Sequence, residues 1–262
     1  MNRIFAAAAG TTAFLAAGAC SAQDAFGDAF WQFKAAGGFD YSSGSYGDAT
    51  KTAVTYTSAT LSAGKGPWTV KAVVPWIAVS GPAVLFQGAA GGAAGSGVSR
   101  QTSGPGDINL SAAYALQRFY TRGLFIDLTA RIKAPVASLG KGLGTGQADA
   151  AVQIDIAQSI GAFMPFVAVG YQANGRPKGY HLRDVVYGTA GLQYTWDQRV
   201  TSGVLFDYRR SALATAADPR EGTAYLNIKF AQSWAVNIYG VVGFSPNSPD
   251  AGGGIVLSYR LP

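Results

Sequence analysis

The residues able to do chemistry in this 262-residue chain are few, and their spacing restricts what that chemistry is. There is one histidine, His181, and one cysteine, Cys20. His181 lies in a stretch rich in Gly, Pro and charge (Asn174 to Arg183), with no serine or carboxylate spaced to pair with it. A nucleophile needs such a base within hydrogen-bond reach, and a metal needs three or four N, S or O ligands. The run LGKGLGTG at 139–146 resembles a phosphate loop, but it lacks the G-K-[ST] ending and no helix pattern follows. No catalytic residue, metal or cofactor is therefore expected. What remains is charge on alternating positions, on the faces opposite the apolar sets: Lys34, Lys71, Asp127, Arg131, Lys133, Asp155, Asp207, Arg209, Lys229 and Arg260. Two uses fit these ten. They fill a narrow interior with ion pairs, or they line a basic-biased passage that favours anions or polar aromatics.

Only strands place charged and apolar residues on opposite faces at that spacing. Ile108, Leu110, Ala112, Tyr114 and Leu116 alternate with Asp107, Asn109, Ser111, Ala113 and Ala115. Leu124, Ile126, Leu128, Ala130 and Ile132 alternate with Phe125, Asp127, Thr129, Arg131 and Lys133. Val152, Ile154 and Ile156 do the same against Gln153 and Asp155. A period of two is a strand signal. The runs exceed the usual five or six residues, and short turns alternate with long loops, as in transmembrane β-barrels.

The composition agrees. It is 48% hydrophobic and 13% charged, yet after the N-terminus no apolar run approaches the roughly 18 residues of a spanning helix. A soluble sandwich or lipocalin-like barrel would carry more outer charge and Lys or Glu along its edges. The net charge of +6 is dispersed along the chain, which speaks against nucleic acid as a partner.

Met1 to Ala22 reads as a signal peptide: Arg3, the apolar core IFAAAAGTTAFLAAGA, and small residues before Gln23. Two ends fit it, cleavage after Ala22 or acylation at Cys20. The barrel domain is then 23–262, exported to the outer membrane of a Gram-negative bacterium.

Taken in order, strands are expected at Phe30–Tyr41, Thr50–Ala63, Trp68–Val79 (with Pro75 inside, which marks a bulge or weakens the strand), the segments above, Met164–Gln172, Val185–Trp196, Val200–Arg209, 224–230, Val236–Phe244 and Gly254–Leu261. That is about 12 antiparallel strands in an up-and-down barrel, closed by pairing the first with the last. At about 4.8 Å between strands and about 40° tilt, the backbone cylinder is about 24 Å across. Trp31, Trp68, Trp196 and Trp234 all fall beside predicted periplasmic turns or termini, where an aromatic girdle belongs. The longest irregular stretch, 80–104, carries Val84, Leu85 and Phe86, which are expected to pack into or line the mouth and gate passage.

Several of these segments also resemble a known bacterial outer-membrane family. They are SYGD at 45–48, GPWTVKAVVPWIAVSGP, SGPGDINLSAAYAL, ARIKAPVASLGKGLGTGQADAAVQID and PFVAVGYQ. The family is named for the meta-pathway of phenol degradation, and its members are described as transporters. The likeness covers Tyr46 to Tyr208, and its most specific part is Lys133–Pro135 with Leu143–Gly146 and Asp149. It implies an outer-membrane barrel passing small aromatic or hydrophobic compounds. One departure is the end, Tyr259-Arg260-Leu261-Pro262, where many such proteins end in an aromatic residue. Function thus reads as a passive channel whose partners are outer-membrane lipid and a small solute. The alternative is a non-conducting structural or surface-interaction barrel.

Overall fold

The computed structural model describes residues 4–5, 30–46, 50–81, 83–86, 91–94, 100–177, 182–214 and 216–262, with backbone alone for 4–5, 83–86, 91–94 and 100. Most of residues 1–22, and His181, lie outside the described residues.

Twelve antiparallel staves close into one barrel. They are β1 (Gln32–Gly44), β2 (Thr52–Lys65), β3 (Trp68–Gly81), β4 in two segments (Arg100–Pro105 and Ile108–Ala115), β5 (Leu124–Ala134), β6 (Asp149–Gln158), β7 (Phe163–Ala173), β8 (Val185–Thr195), β9 (Val200–Arg209), β10 (Arg220–Lys229), β11 (Trp234–Gly243) and β12 (Ala251–Arg260). Each pairs with its neighbours in sequence, and β12 returns to β1 with Arg260 opposite Lys34 and Ala251 opposite Ser43. Closure gives every ladder a partner, which a backbone crossing lipid requires.

The side-chain alternation separates two environments. Leu128, Ile154 and Phe206 project outward and are exposed, and Ile228 shares the outward face of β10. Asp40, Lys133, Gln172, Thr189, Gln193, Arg209 and Glu221 are polar and buried inside the barrel. A molecule with its apolar residues outside and its polar residues inside inverts the soluble pattern, because its outer solvent is hydrocarbon. Aromatic rings cluster at the short-turn end: Trp68 meets Tyr114 edge-on at 4.8 Å, Tyr194 meets Phe163 and Trp196, and Trp234 meets Tyr259 at 4.6 Å. Trp76 lies outward nearer the other end.

The structure departs from the sequence expectation in three places. Residues 100–105 are strand and not loop, so the long connection after β3 ends earlier than position 104. Within it Ala83–Phe86 and Gly91–Ala94 pair as a small hairpin, with Ile4–Phe5 as a third short strand. The turn QRFYTR is a 3-10 helix (Gln117–Arg122), closed by Gly123 at φ 68°, a left-handed value that favours glycine.

The third concerns Pro75. Trp76 pairs with Pro105, and Val73 pairs with Asn109. Two residues of β3 between those pairs face three of β4, which is a β-bulge. Pro75 lacks an N–H but its carbonyl accepts from Gly106. The bulge is thus in the partner strand, at Gly-Pro-Gly-Asp. The extra residue changes the parity of β4: Thr102 and Gly104 face inward above it, Asn109 and Ser111 below it.

Candidate functional site

The bulge turns Asp107 into the barrel, fully buried, and there it meets the other motifs. Lys133 Nζ lies 3.0 Å from Asp107 Oδ2 and 2.9 Å from Asp149 Oδ2, and it donates to Thr145 Oγ1 at 3.1 Å. Asp107 Oδ1 accepts the Ala137 N–H at 2.9 Å, and Asp149 Oδ1 accepts the Gly175 N–H at 2.8 Å. One ammonium is therefore held between two carboxylates whose remaining oxygens are bonded to loop backbone. Such a set is stable in a low-dielectric interior because each charge is both paired and hydrogen-bonded.

Its effect is to pin the connection 135–148 into the mouth. Leu143 is completely buried and packs with Ala137 against Val54, Tyr56, Ile77 and Val79 of β2 and β3. The approach is close: a Cβ at Gly144 would fall 2.6 Å from Ala137 Cβ and 3.0 Å from Asp107 Oδ1. Other connections also enter. Tyr46 is fully buried and bonded to Ser42 at 3.3 Å, and Ser211, Ala212, Asn247 and Ser248 are buried.

All ten charges expected on the lumen face are there, but they divide into separate groups. Starting at the short-turn end, Arg260 faces Lys34, Lys34 faces Ser62, Ser62 faces Lys71, Lys71 faces Ser111 and Ser111 faces Arg131, which lies nearer the long-loop end of β5. This makes a basic arc with serine spacers. Lys229 ends the inward face of β10 at the short-turn end. Asp127 and Asp155 are directly opposite each other, with Gln153 donating to Asp155 at 2.7 Å. Asp207 accepts from Thr189, and Arg209 lies 5.0 Å over the Tyr187 ring and 3.5 Å from Gln172 Oε1. Lys133 belongs to the loop anchor and not to the arc.

Opposite the arc the inner wall is partly apolar. Leu205, Tyr225, Tyr239 and Val241 cluster there, with Phe166 and Val256 against them, and Tyr225 donates to Gln193 at 3.3 Å. The sequence reading passed over Asp40 and Glu221, buried inward acids; Glu221 sits in a stretch that reads as loop. Thr145 was also missed as a ligand, although its motif was singled out. Val84, Leu85 and Phe86 belong to a described hairpin backbone, and their side chains lie outside the described residues. Among the described residues no group of three His, Cys, Asp or Glu is placed to hold a metal.

A closed up-and-down barrel with an apolar exterior, a charged lumen and loops folded into one mouth defines the outer-membrane β-barrel architecture. Solved structures share it. The chain is similar to an outer membrane channel from Pseudomonas putida F1, with a TM-score of 0.72 at 12% identity, over 91% of this chain and 98% of that one. It is similar to the NanC porin, at 0.55 and 9% identity over 87% of this chain and 100% of that one. It also resembles the translocator domain of the autotransporter NalP from Neisseria meningitidis, at 0.52 and 10% identity over 96% and 98%. At these identities the likeness establishes the fold. No protein-family model and no curated protein matches the chain.

Proposed function

We propose that the protein is an outer-membrane channel through whose lumen small molecules pass passively, with the 135–148 connection standing across the entrance. The observation that carries this reading is the anchor at Lys133, which holds a loop inside a charge-lined barrel. A loop fixed there narrows a passage; it would contribute nothing to a barrel already filled by its own wall. The likeness to the Pseudomonas outer membrane channel and to the NanC porin supports the same class. The motif resemblance to the meta-pathway family and the inward ring cluster of Phe166, Tyr225 and Tyr239 favour small aromatic or hydrophobic solutes. The arc of Lys34, Lys71, Arg131 and Arg260, with Lys229, Arg209 and the acids Asp127, Asp155 and Asp207, would set charge preference. Residues 1–22 are the export leader, cut after Ala22 or acylated at Cys20, and the mass of the purified mature chain distinguishes these.

The test is conductance of the refolded protein in planar bilayers, with liposome swelling for neutral solutes. Deleting Ser138–Gly144 should raise conductance several-fold. Deleting Phe86–Ser99 tests the second gate, at Val84, Leu85 and Phe86, in the same assay. If folded wild type and both deletions carry no current, the non-conducting structural or surface barrel is the correct reading. The tightly packed mouth, with Tyr46, Leu143 and Ala212 all buried, is the observation that favours it.

A further inference from the structure

The outer wall over β7 to β10, at the long-loop end, carries a strip that the channel reading does not use. Tyr171 on β7 lies opposite Val186 on β8, and Tyr208 on β9 lies opposite Arg220 on β10. All four project outward and are exposed. Arg210 follows the buried, inward Arg209 and is exposed; its N–H bonds to the Val186 carbonyl, which holds it in line with the wall. Arg176 is exposed just beyond β7, and Arg183 is half-buried beyond the next connection. Among the described residues of the two connections and their flanks, four arginines stand against two acids, Asp184 and Asp218.

Both acids are already engaged. Asp184 accepts the Tyr171 hydroxyl at 2.6 Å and the Asn174 N–H at 3.1 Å. Asp218 accepts the Tyr208 hydroxyl at 2.8 Å and the Ser211 N–H at 2.8 Å, with Arg183 at 3.6 Å. Further round the rim, Asp250 is paired with Lys51 at 3.0 Å. The strip therefore keeps a net positive charge. Directly beneath it the wall is apolar: Phe206 and Phe244 are exposed with ring centroids 6.1 Å apart, beside Val204 and Val242. Phe244 hangs from the Arg220 carbonyl by its N–H at 2.8 Å, so the aromatic pair and the arginine belong to one rigid patch.

We infer that this strip is a docking surface for a phosphate-bearing lipid of the outer leaflet, of the lipid A class. Arg210, Arg220 and Arg176 would meet its phosphates while an acyl chain lies along Phe206 and Phe244. The layering decides the occupant. Guanidinium forks recognise phosphate oxygens in pairs, and clustered basic residues beside a membrane favour anionic headgroups. A soluble anion would have no use for the exposed aromatic pair beneath, and a protein partner would meet it only inside the hydrocarbon. The inference rests on the outward apolar band facing lipid, and not on the barrel conducting.

The test uses the refolded full chain in micelles and native mass spectrometry, with heat-modifiable migration scored first so that folding is established separately. Diphosphoryl lipid A should bind about tenfold more tightly than its dephosphorylated form. The Arg210→Ala/Arg220→Ala pair should lose most of that difference. The charge-matched pair Lys51→Ala/Lys141→Ala, elsewhere on the rim, should keep it. Arg210→Gln alone, should the double variant misfold, is expected to lose an intermediate share. Equal binding of the two lipids by folded wild type overturns the inference, as does an equal loss in both double variants. Competition by free pyrophosphate as strong as that by lipid A would replace the lipid with a soluble anion, and so would also overturn it.

Discussion

At Lys133 a single ammonium satisfies two buried carboxylates and a threonine hydroxyl, so removing it leaves Asp107 and Asp149 without the positive charge between them, with the Ala137 and Gly175 N–H groups still bonded to them. Breaking one member of a buried ion set costs about 3–5 kcal/mol. Lys133→Met should accordingly free the 135–148 connection while the barrel stays closed. Trypsin reports this directly, because Lys141 lies within the freed segment. The variant should be cut there under conditions in which wild type is intact, with conductance rising in parallel; an uncut loop would show that the anchor is not Lys133. Glycine matters at the residue scale through close approach. A Cβ at Gly203 would come 2.5 Å from the Tyr225 Cζ and hydroxyl, so Tyr225 lies over the gap that glycine leaves. Gly203→Ala forces that ring aside, at a cost of about 1–3 kcal/mol. A lowered unfolding midpoint in denaturant checks it; Gly37→Ala, where nothing lies within 4 Å, should leave the midpoint unchanged.

Strand faces follow the alternation, and Leu128 tests the register of β5. Arginine at an outward midplane position costs about 2–4 kcal/mol in lipid, so Leu128→Arg should refold poorly into bilayers. Refolding as good as the parent's would mean that β5 is read one residue out of step. The loop elements are tested by acid. The Tyr171 hydroxyl and the Asn174 N–H hold the Asp184 carboxyl below its ordinary value of 3.8. For Asp218 partial burial pushes the other way, but the Ser211 N–H, the Tyr208 hydroxyl and the Arg183 charge outweigh it and again hold the carboxyl low. A depressed folded value adds stability above the unfolded value, and that stability is lost as pH falls through the folded one. Protection of the Asn174 and Ser211 amides from hydrogen exchange should therefore fall away in acid below that range. Equal protection at pH 6 and well below 3 would show that the carboxylates do not anchor these connections.

Much of this was legible in the residues. Alternation around Leu128, Ile154 and Phe206 assigns the faces, and the spacing of turns gives the number of staves and the closing pair. The anchor was only half legible. Gly-Pro-Gly-Asp, Lys133, Thr145 and Asp149 each stood out as motifs, and period two sets Asp107 on the polar face with Asn109 and Ser111, but it is β4–β5 pairing that brings Asp107 and Lys133 together, and alternation within one strand cannot show that. Glu221 was missed because β10 begins inside a stretch rich in Ala, Asp and Pro that composition assigns to a loop. The inward course of 135–148 was missed for a similar reason. Length singled out 80–104, whereas what fixes 135–148 in the mouth is a buried charge set made by residues distant in sequence.

For the whole molecule, the closing pair has a consequence for how the barrel is made. Every other ladder joins staves adjacent in the chain and can zip from its own connection: Lys65 meets Trp68 across two residues. The β12–β1 ladder instead joins Arg260 to Lys34, almost the two ends of the described barrel. The entropy of bringing such distant ends together rises only by about 0.6 kcal/mol for each doubling of length, so distance is no obstacle to the finished state. It is an obstacle to timing, since nothing can hold those ends together before the intervening staves exist. The seam must be the last ladder to form, and until then the sheet has two raw edges. Gly252, Gly253 and Gly254 lie in the seam against Ser42, Tyr41 and Asp40, and that run of bare backbone gives it the fewest side chains to hold it shut. The same ladder that completes the barrel is thus where a nascent chain is most open to being held by the machinery that inserts it, and where a finished barrel should first come apart.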